Sequence, residues 1–108
     1  SEIQSAFDAK ISRSIGNTRT DGTSVWLHNN RILYRDRCGR IWFTLSGWPT
    51  PTTRERLKIG GINVHQSKGD QYCGDQEIDS DCWYRLREVD NRLISVDTFE
   101  EIEPIQCQ

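Results

Sequence analysis

The sequence predicts a small α+β domain in which an antiparallel β-meander carries one short helix. Three successive segments, residues 24–28, 31–35 and 40–46, alternate apolar and polar side chains between turn residues, as half-buried strands do. A helix signal bounded by prolines and glycines follows at residues 50–58. The chain shows no internal repeat and no linker, so residues 1–108 are interpreted as a single domain.

The meander is predicted from its turns as well as from its strands. Asn29 and Asn30 tolerate the left-handed backbone that a two-residue hairpin turn requires, and Gly39 readily adopts a positive φ in the second turn. Because side chains alternate along a strand, the third strand places Ile41 on one face and Trp42 on the other. We therefore expect an antiparallel sheet with one apolar face and a second face that carries tryptophan.

Further strands are expected on both sides of the meander. Four more segments have strand-like patterns: residues 11–15, 62–66, 82–87 and 92–96. The second of these is predicted to be a fourth strand of the same sheet. Residues 16–23 are predicted to be a loop, because they hold two glycines, an asparagine and an aspartate. Residues 1–10 are expected to be a lead-in with one helical turn.

The helix is predicted from its boundaries. Thr50 can cap its N-terminus with Pro51 in the first turn, where the missing N–H of proline costs nothing. Alternatively, residues 52–55 form a capping box. Gly60 and Gly61 end the helix. A helix this short needs tertiary contacts, so we expect Leu57 to pin it to the sheet.

Charge is unevenly distributed along the chain. The net charge is −2, but residues 1–68 carry 11 Lys or Arg and 5 Asp or Glu, whereas residues 69–108 carry 3 and 11. This segregation predicts either two oppositely charged faces, or a basic body beside an acidic loop at about residues 67–81 and an acidic, partly mobile tail at about residues 98–108. Most of the basic residues are arginines, which fork onto carboxylates and phosphates and stack on aromatic rings.

The four cysteines are Cys38, Cys73, Cys82 and Cys107. No basic-then-apolar N-terminal segment is seen, so no signal peptide is expected, and a reducing cytosol would keep the thiols free. The spacing lacks the two close pairs of a structural zinc site. A local Cys73–Cys82 disulfide is the alternative. We therefore predict no metal and no obligatory disulfide.

Other catalytic or metal-binding patterns are weak. Four carboxylates alternate as in a calcium-binding loop: Asp75, Glu77, Asp79 and Asp81. Counted from the first of them, the sixth and twelfth positions hold Ser80 and Leu86, where glycine and glutamate are required. His28 and His65 lie on predicted strands without any nucleophile, phosphate-loop or metalloprotease motif. No catalytic residue and no cofactor is predicted, and no apolar run approaches membrane-spanning length.

A contact surface of arginine and tryptophan is predicted instead. Aromatic and arginine side chains contribute most to protein interfaces, and both also grip single-stranded nucleic acid. The acidic isoelectric point of about 5.6 opposes a polyanion. The predicted contact residues are Trp42, Trp48, Arg37, Arg40, Arg54 and Arg56.

Two stretches resemble a family of small, uncharacterised tailed-bacteriophage proteins. Residues 45–57 read L-S-G-W-P-T-P-T-T-R-E-R-L, close to the family pattern A-G-W-x-T-x-T-T-x-x-R-L-N. Residues 25–32, V-W-L-H-N-N-R-I, resemble the family's L-H-G-N-x-I-A, and residues 11–14 resemble its opening. Lys58 stands where the family usually has asparagine, and an Asn-Asn pair stands where Gly-Asn is commoner. The resemblance covers about half the chain and implies a phage protein made in the bacterial cytoplasm, without an assigned activity.

These observations favour a non-enzymatic phage accessory protein in the host cytoplasm that binds a host protein and so inhibits a host enzyme or defence factor. The alternative is a nucleic-acid-binding protein that uses a surface of arginine and tryptophan. Its residues would be Arg31, Arg35, Arg37, Arg40, Arg54 and Arg56 with Trp26, Trp42 and Trp48. A small metal-dependent or hydrolytic enzyme ranks third. No membrane partner is expected.

Overall fold

Ten strands form two antiparallel sheets in the computed structural model, which describes residues 1–107. The large sheet has the order β1-β2-β3-β4-β5-β9-β10, with strands Arg13–Ile15, Thr18–Thr20, Ser24–Leu27, Asn30–Arg35, Ile41–Phe43, Trp83–Leu86 and Leu93–Val96. The small sheet has the order β6-β7-β8, with strands Val64–Ser67, Asp70–Cys73 and Gln76–Ile78. The helices are α1 (Glu2–Asp8) and α2 (Pro51–Leu57), with 3-10 turns at Lys58–Gly60 and Phe99–Glu101. The α+β class and the β3–β4–β5 meander are confirmed.

The small sheet corrects two predictions. The strand expected at residues 62–66 is β6, but it pairs with β7 rather than with the meander. The acidic stretch 67–81 is not a loop, because it holds β7 and β8. Lys68 and Gly69 both have positive φ and form the first turn of this sheet. Its inward-facing residues include Gln71 and Cys73, so the apolar alternation that marks a strand is weak there.

The N-terminal part of the large sheet also differs from expectation. The predicted loop at residues 16–23 contains β2, in which Thr18 and Thr20 are buried on one face. The Thr20 hydroxyl donates to the carbonyl of Ser24 and accepts from the N–H of Gly22, so these buried polar groups are satisfied. Strand β1 is exposed at all three residues and forms an edge of the sheet.

Helix α2 begins and ends as its sequence predicts. Thr50 is extended, and its hydroxyl accepts a hydrogen bond from the N–H of Thr53 at 3.2 Å, which confirms the N-cap. Pro51 occupies the first turn, and Leu57 is fully buried. Gly61, at φ 76°, closes the 3-10 turn that follows. Within residues 1–107, no helix is long and apolar enough to cross a membrane.

The large sheet has a core on each face. The inner face packs on α1, α2 and the small sheet around a cluster that includes Phe7, Leu33, Phe43 and Leu57. The outer face carries a second cluster of Trp42, Trp83 and Ile102, with five partly buried neighbours: Tyr34, Ile94, Val96, Phe99 and Ile105. The chain after β10 therefore folds back across the outer face.

The C-terminal segment, residues 98–107, is packed against the outer face, so the expectation of a mobile tail is wrong. Ile102 is 1% exposed, and the Tyr34 hydroxyl donates to the Glu103 carboxylate. A disulfide joins Cys38, in the turn before β5, to Cys107, with their Cα atoms 5.5 Å apart. The expectation that all four thiols are free is therefore wrong. Sequence spacing could not indicate this pair, because its members are 69 residues apart.

Candidate functional site

A cleft of about 530 Å³ opens between the turn that joins β3 to β4 and the segment that leads into α2. Three buried apolar residues, Leu27, Ile32 and Leu45, contribute to its wall. The other lining residues are His28, Asn30, Ser46, Trp48, Thr50, Thr52 and Thr53. None of the ten is Asp, Glu, Lys or Arg, so the cleft suits an uncharged ligand.

Trp48 stands at this cleft with 60% of its surface exposed. Ser46 and Gly47 have φ values of 55° and 79° and reverse the chain after β5. A Cβ at Gly47 would be strained at this φ and would lie 3.2 Å from a carboxylate oxygen of Asp81, so glycine is favoured there. The Trp48 N–H donates to the carbonyl of Leu45 at 2.9 Å and closes the turn. The indole is thus held outward by a defined backbone.

The start of α2 forms the same wall of the cleft. Besides capping the helix, the Thr50 hydroxyl lies 3.0 Å from the hydroxyl of buried Thr53. These two hydroxyls satisfy each other within the protein. Thr52 is exposed beside them and can contact a ligand. The threonine-rich stretch therefore both builds the helix and contributes to the cleft.

The opposite wall is the tip of the β3–β4 hairpin. His28 and Asn29, at φ 50° and 66°, are the two central residues of the turn, as a primed two-residue turn requires. The predicted turn was one residue later, at Asn29 and Asn30. The His28 N–H donates to the carbonyl of Asn17 at 2.9 Å. A left-handed histidine is uncommon and places an exposed imidazole at the cleft.

Trp42, predicted as a contact residue, cannot touch a partner. Its side chain is fully buried in the outer-face cluster, and its indole Nε1 donates to Oδ2 of Asp36 at 2.8 Å. The alternation placed Trp42 correctly on the face opposite Ile41, but the C-terminal segment covers that face. Trp42 is a core residue.

Of the two arginines in the β4–β5 turn, one is exposed to solvent and the other pairs with a carboxylate of the same chain. Arg40 donates from Nε to Oδ2 of Asp36 at 3.0 Å, and its side chain is 19% exposed. Arg37 is exposed and lies 3.5 Å from the carbonyl of Ile105. The structure therefore leaves Arg37 free to meet a partner and commits Arg40 to an internal ion pair.

The arginines of α2, predicted as contact residues, also contact their own chain. Arg54 donates at 3.0 Å to the carbonyl of Pro49 and to Oε1 of Gln71, which ties the helix to the small sheet. Arg56 donates from Nε to the hydroxyl of Thr18 at 2.9 Å and also pairs with the carboxylate of neighbouring Glu55. Their hydrogen bonds lead to different sheets, so the two side chains do not form one patch.

Asp36 gives the fold a pH dependence. Burial alone would raise the pKa of its carboxyl, but hydrogen bonds from the Trp42 indole and from Arg40 outweigh burial and lower the pKa below the usual 3.8. A lowered pKa stabilises the folded state above pH 3.8, and this contribution is lost as pH falls through the pKa of the folded state.

We therefore expect Asp36→Asn to reduce the free energy of unfolding at about pH 7, with the difference from the wild type shrinking towards about pH 2. Urea denaturation at several pH values measures it, and a difference that does not change with pH would contradict the assignment.

The predicted nucleic-acid residues Trp26 and Arg31 lie together with Arg19, which was missed because β2 was predicted to be a loop. The strand register pairs Arg19 with Trp26 and Trp26 with Arg31, so the three side chains form a row across β2, β3 and β4. The guanidinium carbons lie 4.1 and 5.2 Å from the centre of the Trp26 ring. Neither arginine has a carboxylate partner within 4.0 Å in the described chain. We call these three residues the Arg–Trp row.

The free thiols show no sign of activation. Cys73 is buried, and burial raises the pKa of its thiol. Burial also raises the pKa of the Cys82 thiol, with the nearby carboxylates of Asp79 and Asp97 adding to the effect. Both shifts disfavour the reactive thiolate. Across residues 1–107, the structure shows no group of three or more potential metal ligands.

Comparison with known proteins does not identify the chain. No protein-family model matches it, and neither the curated proteins nor the solved structures contain a match.

Proposed function

We propose that this protein is a non-enzymatic binding module whose cleft takes an uncharged, apolar segment of a partner protein. The observation that carries this proposal is the exposed Trp48 beside a mostly apolar cleft without charged residues. Exposed tryptophans next to apolar pockets are typical anchors of protein interfaces. A saccharide fits less well, because most of the exposed wall of the cleft is apolar.

The resemblance to phage proteins supports a phage-encoded protein that acts on a host protein. All ten lining residues fall within residues 25–32 and 45–57, the two stretches that carry most of the resemblance. What resembles the phage family is thus largely the cleft and the helix that supports it. We propose inhibition of a host enzyme or defence factor as the outcome of binding.

The proposed site of action is the host cytoplasm, where glutathione and thioredoxin would reduce the Cys38–Cys107 disulfide. The cleft does not depend on that bond directly, because its lining lies in the hairpin tip and the α2 segment. Binding through Trp48 is therefore expected in both redox states.

Trp48→Ala tests the proposal. The immobilised protein is incubated with bacterial lysate, and the affinity of any retained protein is then measured after its purification. We expect Trp48→Ala to weaken binding by roughly 30-fold or more, as loss of an interface anchor does. Val89→Ala is the matched control, because Val89 is 84% exposed and does not line the cleft. Arg54→Ala should have a smaller effect than Trp48→Ala, because Arg54 contacts its own chain. Equal affinity of the Trp48→Ala and Val89→Ala variants would contradict the proposal.

Nucleic-acid binding is the second candidate, and the Arg–Trp row favours it. Two arginines without ion pairs beside an aromatic ring are the elements of a single-strand binding surface. Two phosphate contacts give only a shallow salt dependence, and the net charge of −2 opposes a polyanion. Salt-sensitive retention of single-stranded DNA or RNA that is lost in Arg19→Ala, while Trp48→Ala has no effect, would favour this candidate over the first.

A further inference from the structure

We propose that His28 is the residue that selects the ligand of the cleft, held as the Nδ1–H tautomer by a chain of hydrogen bonds that starts at Arg56. The proposal rests on the proposed function, since it names the group that His28 recognises in the cleft. The chain of hydrogen bonds runs from Arg56 through Thr18 and Asn17 to the imidazole. The donor-to-acceptor direction of this chain determines which ring nitrogen of His28 carries the proton.

With the Asn17 amide oriented as the structure gives it, each step of the chain has one direction. The Arg56 Nε–H can only donate, so the Thr18 hydroxyl oxygen accepts it at 2.9 Å. The single hydroxyl proton of Thr18 is then donated to Oδ1 of Asn17, also at 2.9 Å. This places the amide Nδ2 of Asn17 towards Nε2 of His28, at 3.3 Å. An amide nitrogen can only donate, so Nε2 must be the acceptor, and the proton of the neutral ring is on Nδ1.

The backbone holds the imidazole between two spaces. His28 lines the main cleft and also a shallow pocket that it shares with Asn17 and Asn29. Nε2 is engaged on the Asn17 side, whereas Nδ1 has no hydrogen-bond partner in the described chain. The left-handed conformation of His28 and the bond from its N–H to the carbonyl of Asn17 fix the turn from which the ring projects. The Nδ1–H therefore has no acceptor within the described chain and is available to a ligand.

The ligand must present an acceptor and carry no charge. The cleft has no cation to compensate a carboxylate or a phosphate. Its apolar wall and Trp48 favour an apolar side chain, and the Nδ1–H favours an adjacent carbonyl oxygen. A peptide segment supplies both groups, since every backbone carbonyl is an acceptor. We infer that the partner inserts an apolar side chain beside Trp48 and places a backbone carbonyl on His28.

The first test reads the tautomer without any ligand. Long-range ¹H–¹⁵N correlation at about pH 8, where free imidazole is neutral, separates Nδ1–H from Nε2–H rings. We expect Nδ1–H for His28 and the Nε2–H form usual in water for His65, which is exposed on β6 and serves as the internal reference. Asn17→Ala should return His28 to Nε2–H, and Asn63→Ala, at an exposed asparagine outside the chain, should not. An Nε2–H ring in the wild type, or no change in Asn17→Ala, would overturn the proposal.

The second test measures recognition with N-acetyl-leucine amide, a neutral probe with an apolar side chain and carbonyl acceptors. In an NMR titration we expect shifts at the Trp48 indole and at His28, with affinity about three- to tenfold weaker in Asn17→Ala, the loss of one neutral hydrogen bond. If Asn17→Ala switches the tautomer but binds the amide equally well, the proposal that His28 selects the ligand is disproved, whereas the proposal that the cleft beside Trp48 binds it is not. If Trp48→Ala also binds equally well, the proposed function fails with it. Binding of methyl glucoside in place of the amide would overturn the peptide assignment.

Discussion

Replacing Trp42 by alanine is expected to lower the free energy of unfolding by about 3–5 kcal/mol, the usual loss for a buried aromatic side chain. The indole is fully buried against Trp83 and Ile102. Its removal leaves a cavity between the large sheet and the C-terminal segment. It also removes the Nε1–H that donates to the buried carboxylate of Asp36, which then keeps its charge with one donor fewer.

Two variants separate packing from hydrogen bonding. Trp42→Phe keeps much of the apolar volume but loses the donor to Asp36, so its stability should lie between those of the wild type and Trp42→Ala. Trp48→Ala removes an exposed indole and should change stability by less than about 1 kcal/mol. Urea denaturation followed by circular dichroism measures all three variants. If Trp42→Ala were as stable as Trp48→Ala, the packing of the C-terminal segment on the outer face would be wrong.

The meander and the helix could be predicted because their signals are local. Thr50 and Pro51 specify the start of α2 within two residues, and Leu57 is buried at the position expected from its spacing. Strands β3, β4 and β5 are adjacent in sequence and in the sheet, so alternation and turn residues suffice. One short sequence motif therefore yields both the helix and the exposed Trp48.

The outer face could not be predicted, because what covers it is distant in sequence. Trp42 was placed on the face opposite Ile41, but alternation does not show that Trp83 and residues 98–107 bury it there, while Trp26 stays partly exposed. Strands β7 and β8 of the small sheet were missed for a different reason. Gln71 points inward and is satisfied by Arg54 and Gln66, so a buried polar residue replaced the apolar residue that would have marked the strand.

The arginine surface was only partly predictable for the same reason. Residue type predicted Arg54 and Arg56 as contact residues, but their partners within the chain, Gln71 and Thr18, lie 17 and 38 residues away. The local ion pairs, Arg40 with Asp36, Arg56 with Glu55 and Arg87 with Asp90, span at most four residues. The Arg–Trp row depends on the register of three strands, and the first of these was predicted to be a loop.

Removing the Cys38–Cys107 disulfide is expected to lower the free energy of unfolding by roughly 4 kcal/mol, within a usual range of about 2–5 kcal/mol. The bond closes a loop across 69 residues, and a long loop restricts the unfolded chain strongly. The folded state should lose less, because Ile102 remains buried and Glu103 still accepts from Tyr34. Cys38→Ser, measured by urea denaturation without reductant, gives the size of this effect.

Reduction of the wild type should reproduce the Cys38→Ser result, and the variant itself should not respond to reductant. Cys82→Ser is the matched control, because Cys82 is a free, partly exposed thiol, and it should retain the full response to reductant. A wild type whose stability is unchanged by reductant would show that residues 98–107 are held by packing alone.

Because the cleft is built from the β3–β4 tip and α2, Trp48-dependent binding should persist in Cys38→Ser at temperatures where that variant is folded. Loss of binding under those conditions would mean that the outer face, rather than the cleft, contacts the partner.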